Sequence, residues 1–207
     1  MPRLLYVVGS PRGGASRSNT VASAYVEAFA AKHPDFAIDT LDLWREELPA
    51  FDDQKVAAKL AVMRQGKPDD AQRAAWQSVL AVVERFRTAD RYVFSVPMWN
   101  GSIPYRLKHY IDVIMQPGLL FNLDRAAGYS GLLKDKRATV VYSAGIYAPG
   151  KPPQFGADFQ VPYFDWWLRE AGIADIETIR LPPLASAGDA TEALARACGE
   201  ARVLAAR

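Results

Sequence analysis

The chain has 207 residues, half of them apolar and 23% charged, and its 25 basic and 23 acidic side chains give a formal charge of +2. A chain this long buries roughly 70% of its unfolded surface and needs no disulfide or metal to fold, and its balanced charge carries no electrostatic footprint for nucleic acid. The single cysteine, Cys198, excludes an internal disulfide and a cysteine-based metal cluster.

Leu4 to Val8 is a short unbroken apolar run ending at Gly9-Ser10-Pro11, the pattern of a strand buried on both faces. It is too short for the apolar core of a secretory signal or for a membrane span, so a cytoplasmic address with a reduced Cys198 is expected. Val21, Ala24, Tyr25, Ala28 and Phe29 follow at helical spacing. Phe36 to Leu43 reads as a second strand. Residues 44–70 hold Pro49, Gly66 and Pro68 and give little pattern beyond a short helix over Lys55 to Arg64.

Trp76, Val79, Leu80, Val83 and Phe86 make another helical stripe, and Arg91 to Val96 a third strand stopped by Pro97. Pro104 opens a helix that carries Leu107, Tyr110, Ile111 and Ile114 as far as Met115. Ala138 to Tyr142 is a fourth strand, followed by a long Pro/Gly-rich loop over Ala148 to Gly156. Phe159, Tyr163, Trp166 and Trp167 then predict a helix ending at Gly172. Ile176 to Leu181 is a fifth strand, and Leu194, Ala197, Cys198, Ala201 and Ala205 stripe a last helix. Five repeats of strand then helix specify a parallel sheet covered on both faces, here expected as a single domain over 1–207.

In such a sheet, ligands bind at the carboxyl ends of the strands near the switch in strand order. Three loops qualify. The first, Gly9 to Asn19, precedes a helix and lacks both the nucleoside-triphosphate loop and the dinucleotide glycine spacing. Its hydroxyls at Ser10, Ser16 and Ser18, with Arg17 and a helix start, suit a terminal phosphate; Ser16, Ser18 or Asn19 acting only as a helix cap explains the same residues. The second, Pro97-Met98-Trp99-Asn100-Gly101-Ser102-Ile103-Pro104, ends a strand in large polarisable side chains that suit a flat heterocycle or pack beneath a neighbouring loop. The third, Ser143-Ala144-Gly145-Ile146, lets backbone approach a ligand, or is merely a turn.

Together these loops resemble the flavodoxin-like quinone reductases, and most closely the bacterial FMN-dependent NADH azoreductases. The matching segments are Ser10 to Asn19, Pro97-Met98-Trp99-Asn100 followed by Leu107-Lys108-x-Tyr110-x-Asp112, Phe121 with Gly131-Leu132-Leu133, Ser143-Ala144-Gly145, and Leu168-x-x-x-Gly172-Ile173-x-Asp175. The sequence departs from that family at Trp99, where Tyr is usual, at Gly101, where Phe is usual, and in Ala144 to Ile146.

The resemblance implies a flavodoxin-like three-layer sandwich with a five-stranded parallel sheet. It implies one non-covalent FMN per subunit, its phosphate and ribityl chain held by Ser10, Ser16, Arg17 and Ser18. Pro97, Met98, Trp99, Asn100 and Gly101 would line its ring, and Ser143, Ala144, Gly145 and Ile146 its pyrimidine edge. The implied activity is ping-pong hydride transfer from NADH or NADPH to a quinone or azo acceptor, in a homodimer whose partner contacts would involve Phe121 and the segment around Trp166 and Trp167, although packing into the core accounts for those two tryptophans more simply. A flavodoxin-like electron carrier and a non-catalytic flavin-binding regulatory protein are the alternatives. No catalytic nucleophile, metal, nucleic acid or membrane enters this reading.

Several other residues read as structural. His109 is expected at the surface, and Lys108 and Asp112 as an i,i+4 pair. His33 marks the end of the first helix, and Cys198 is expected to be a buried thiol on an apolar stripe. Lys134 to Arg137 reads as a solvated turn, and Asp39 and Asp42 as polar positions facing a sheet edge.

Overall fold

The computed structural model describes residues 1–63, 68–186 and 188–207. In chain order the elements are β1 (Arg3–Val8), α1 (Arg17–Lys32), β2 (Ala37–Asp42), α2 (Asp53–Met63), α3 (Asp70–Arg87), β3 (Arg91–Pro97) and α4 (Tyr105–Ile114). They continue with β4 (Phe121–Asp124), β5 (Gly128–Gly131), β6 (Arg137–Ser143), α5 (Val161–Ala171), β7 (Asp175–Arg180) and α6 (Ala190–Ala205). Five strands form one parallel sheet in the order β2-β1-β3-β6-β7. The expected five-stranded sandwich is present.

The pleat decides which helices cover which face, because successive side chains on a strand point to opposite sides. Leu4, Tyr6 and Val8 of β1, with Val93 and Val141, pack on Val21, Tyr25 and Phe29 of α1 and on Ala197, Ala201 and Ala205 of α6. Leu5, Val7, Tyr92, Phe94, Val140 and Tyr142 face the other way, onto Val79 and Phe86 of α3, Leu107 and Tyr110 of α4, and Phe164 and Trp167 of α5. A strand buried on both faces has no polar alternation, which is why the apolar runs were legible as strands. β2 is an edge strand. Its Asp39 accepts from Arg85 at 2.7 and 3.0 Å and lies 3.5 Å from Arg3, and the Arg85 guanidinium holds this carboxyl below its ordinary range. A charged pair of this kind blunts a sheet edge.

Several expectations change. The strand-helix alternation is interrupted by an antiparallel hairpin, β4–β5, between α4 and β6. Its residues are mostly exposed, so it carries no buried alternation for a sequence pattern to reveal. Asp124 closes it by accepting the N–H groups of Ala126 and Ala127 at 2.8 and 2.7 Å. The helix expected over Lys55 to Arg64 is α2, from Asp53 to Met63; Arg64 lies outside the described residues. In α5 the buried face is Phe164, Trp167, Leu168 and Ala171. The expected stripe mixed two faces: Trp167 is core, whereas Trp166 is exposed and Phe159 lies before the helix. Gly172 ends α5 at φ 105°, a left-handed conformation that disfavours any side chain.

His109 and Cys198 are each half-buried, neither at the surface nor fully enclosed. Burial pushes the Cys198 thiol up from its ordinary value. Lys136 and Arg137 are tied to Asp90 and Asp175, so the turn before β6 is less solvated than its charges implied.

The loop after β1 is fastened to β3 by buried polar contacts. The Gly9 N–H donates to the Ser95 carbonyl and hydroxyl, both at 3.1 Å. A Cβ on Gly9 would sit 2.4 Å from that carbonyl oxygen, so only glycine permits the approach. Asn19 completes the fastening: its Nδ2 donates to the carbonyls of Ser10 and Gly13 at 3.2 and 3.1 Å, and its Oδ1 accepts from the Ser95 hydroxyl at 2.7 Å. Truncating Asn19 strands these buried groups, so Asn19→Ala is expected to lower the unfolding free energy by about 1–3 kcal/mol in urea titrations. Gly9→Ala should cost a similar ~1–3 kcal/mol by overpacking, measured in the same way.

Candidate functional site

Parallel strands put all their carboxyl ends on one edge of the sheet, and the loops after β1, β3 and β6 meet there. They enclose a crevice of about 160 Å³. Ser10, Arg12, Ser16 and Arg17 line one side, Pro97, Met98 and Trp99 another, and Ser143, Ala144 and Gly145 a third, with Leu184 beyond β7. The Met98 N–H donates to the Ser143 carbonyl at 2.7 Å, which zips the second and third loops together just past the sheet.

The first side is built by the start of α1. Ser16 caps the helix, its Oγ accepting the Asn19 N–H at 3.4 Å and lying 3.2 Å from the Ser18 hydroxyl. The N–H groups of Arg17 and Ser18 have no intrahelical partner, and the positive end of the helix faces the crevice. Arg17 reaches across it, donating from Nη1 to the Pro182 carbonyl at 3.0 Å. Its Nε and Nη2 are buried and have no partner among the described residues. Burial pushes this guanidinium below its ordinary pKa. No acidic side chain lines the crevice among the described residues. Two unsatisfied guanidinium donors, hydroxyls and a helix N-terminus are the donor set of an oxyanion site.

The second side is a tight turn. Trp99 and Ser102 exchange N–H···O bonds at 2.8 and 2.9 Å, while Asn100 and Gly101 both take positive φ, 50° and 81°. Two successive left-handed residues are the reason for Asn-Gly here. This turn aims Asn100 away from the crevice, into a neighbouring hollow of about 670 Å³ that it lines with Trp99, Phe51, Tyr105 and Tyr163. Gly101 lines neither hollow; its carbonyl accepts the Phe159 N–H at 2.8 Å. Ser18 is fully buried behind Ser16, and Ile146 projects into solvent at 57% exposure. Nine of the thirteen residues singled out from sequence therefore line the crevice, and Ser18, Asn100, Gly101 and Ile146 do not.

Beyond the third loop the crevice is flanked by a hollow of about 330 Å³ that shares Met98, Ser143 and Ala144 with it. Its wall includes Tyr142, whose hydroxyl donates to Asp165 at 2.7 Å. Burial, reinforced by the Asp165 charge, raises this phenol well above its ordinary value, so it remains a protonated donor. Gln160 is buried alongside, its Nε2 donating to the Val96 carbonyl at 2.9 Å.

Sequence reasoning missed four participants. Leu184 follows the fifth strand, a carboxyl end not counted among the site loops. Arg12 is exposed in the first loop and has no pattern of its own. Ser95 could have been found as the one small polar residue inside a strand whose buried neighbours are large and apolar. Trp44, in the poorly patterned segment after β2, donates from Nε1 to the Gly9 carbonyl at 3.0 Å.

The family model described as having a flavodoxin-like fold matches residues 2–204. The chain is 49% identical over 183 residues to the FMN-dependent NADH:quinone oxidoreductase of Ruegeria pomeroyi, covering 88% of this chain and 90% of that one. It is 40% identical to the enzyme of the same name from Desulfotalea psychrophila, over 88% and 86% of the two chains. Among solved structures, an azoreductase from Bacillus anthracis superposes with a TM-score of 0.89 at 24% identity, over 100% of this chain and 99% of that one. An FMN-dependent NADH-azoreductase from the same species, solved in complex with FMN, superposes equally well at 23% identity. Fold, strand order and sequence agree: this chain belongs to the flavodoxin-like family that contains the FMN-dependent NADH:quinone oxidoreductases.

Proposed function

We propose that this chain is an FMN-dependent NADH:quinone oxidoreductase, also competent with azo compounds, and that residues 1–207 act as one flavodoxin-like domain. The observation that carries the reading is the half-buried Arg17 guanidinium beside Ser10 and Ser16, whose buried Nε and Nη2 have no partner among the described residues. A half-buried cation with buried donors left unsatisfied is unfavourable unless an anion completes it. A phosphate monoester does so, because it brings two negative charges and several acceptor oxygens to one point.

Arg17, Ser10, Ser16 and the first N–H groups of α1 would hold the phosphate of FMN. Pro97, Met98 and Trp99 would cover its ring, and the small residues Ser143, Ala144 and Gly145 would bring backbone to its polar edge. Ser18 supports Ser16 from behind, and Asn100 and Gly101 supply the turn that presents Trp99. Bound there, FMN supplies a two-electron carrier able to accept hydride from a nicotinamide and pass it to an acceptor. Around it the chain would provide position and exclude water, with the apolar side chains of Pro97 and Met98 lining the crevice. Donor and acceptor would occupy the same slot beside the crevice in turn, which gives ping-pong kinetics.

We also infer a homodimer working in the cytoplasm. The exposed apolar side chains of the β4–β5 hairpin, Leu123 at 58% and Tyr129 at 57%, with Trp166 at 54%, support a partner surface on that side.

The test is a visible spectrum of the purified protein supplied with FMN, followed by anaerobic NADH. A flavin band that NADH bleaches and a quinone restores is expected; a protein that never binds FMN, or binds it without bleaching, overturns the reading. Arg17→Gln should raise the Kd for FMN roughly 10- to 100-fold, as loss of charge-assisted hydrogen bonds requires, while the Kd for riboflavin, which has no phosphate, changes little. Fluorescence titration of both flavins measures this.

A further inference from the structure

The segment between β2 and α2 has neither helix nor strand over residues 43–52, yet it is held firmly. Arg106 of α4 donates from Nε to the Leu43 carbonyl at 2.7 Å and from Nη2 to the Glu46 carbonyl at 2.9 Å. Arg85 of α3 is bonded to the Glu46 carboxylate. The His109 ring Nε2 lies 2.9 Å from the Pro49 carbonyl. These contacts present one side chain, Trp44, to the two loops that form facing walls of the crevice.

Trp44 meets each loop differently. Its indole N–H donates to the Gly9 carbonyl at 3.0 Å, at the root of the loop that carries Ser10, Ser16 and Arg17. Its ring lies 5.4 Å from the Trp99 ring at 44° and 5.4 Å from the Tyr105 ring at 88°. Trp99 is 37% exposed and lines both the crevice and the aromatic hollow behind it. Trp44 and Tyr105 are the aromatic rings packed on it.

We propose that Trp44 is a positioning residue for the flavin site, setting the anion loop through its N–H and the Trp99 wall through its ring. This rests on the function proposed above. A single side chain in contact with both walls holds them at one separation, so that a phosphate in one loop and a flat ring against the other can be met together. The two roles belong to different atoms and are separable by substitution.

Trp44→Phe keeps a ring and removes the N–H. Its Kd for FMN is expected to rise roughly 3- to 10-fold, the range of one neutral hydrogen bond, with the Kd for riboflavin changed less than about twofold on the same scale. Trp44→Leu also removes the ring and should weaken both flavins. Trp99→Phe should weaken riboflavin and FMN by the same factor, leaving their ratio as in the native protein. A role confined to core filling would not alter the FMN-to-riboflavin ratio.

Near-UV circular dichroism of the flavin-free proteins supplies a readout independent of activity: Trp44→Phe and Trp99→Phe should each abolish the same coupled indole signal. If Trp44→Leu does not fold, the two Phe variants still decide the matter. Equal weakening of both flavins by Trp44→Phe, or no weakening, overturns the positioning role while native FMN binding leaves the functional reading intact. A native protein that binds neither flavin overturns both.

Discussion

The geometry of the crevice depends on a buried polar knot in which the Asn19 carboxamide bridges the first loop and the Ser95 hydroxyl. Asn19 sits in the first turn of α1, Ser95 near the end of β3, and Gly9 at the end of β1. These three positions join the neighbouring central strands of the sheet where the strand order turns. Buried amides and hydroxyls are tolerated only when satisfied, and here each donor and acceptor finds a partner within the knot. The loop therefore adopts one course, and α1 starts where its positive end faces the space between the loops. Without that register the serines and Arg17 would be surface residues on a mobile turn.

The crevice also shows how a fold can carry a locally unfavourable group. Arg17 is partly desolvated, held by a single carbonyl of the loop after β7, and its buried Nε and Nη2 have no partner among the described residues. A residue chosen for stability alone would be paired or exposed. The surrounding sheet, buried on both faces by two helical layers, supplies the rigidity that allows this. The same logic applies to the Asn100-Gly101 turn: its left-handed backbone does not touch the crevice, but it fixes where Trp99 stands.

Around this centre the chain adds elements that the sheet itself does not need. The hairpin β4–β5 is moored by Gly131, whose missing side chain lets it lie against Gly172 at the end of α5. The segment after β2 is tied to α3 and α4 by arginine and histidine side chains bonded to its carbonyls and to Glu46. The segment after β2 places Trp44 at the carboxyl edge of the sheet, whereas the hairpin is anchored where α5 ends and β7 begins; both distinguish this chain from a minimal five-stranded sandwich.

Sequence by itself determined the sheet, the helices that cover it and the three loops at its functional edge. Unbroken short runs such as Leu4 to Val8, bounded by turn residues, read as strands covered on both sides, and stripes such as Val79, Val83 and Phe86 read as helix faces turned to a core. It also identified most residues of the crevice, because parallel strands end together and their loops must converge. What it left open were choices made by contacts distant in the chain. Which face of α5 is buried was decided by packing against β3 and β6, so Trp167 went inward and Trp166 outward. Whether Asn100 faces the crevice was decided by the turn's positive φ angles. The tie from Trp44 to Gly9 spans 35 residues and follows no local period, so it exists only once the tertiary structure has brought both ends together.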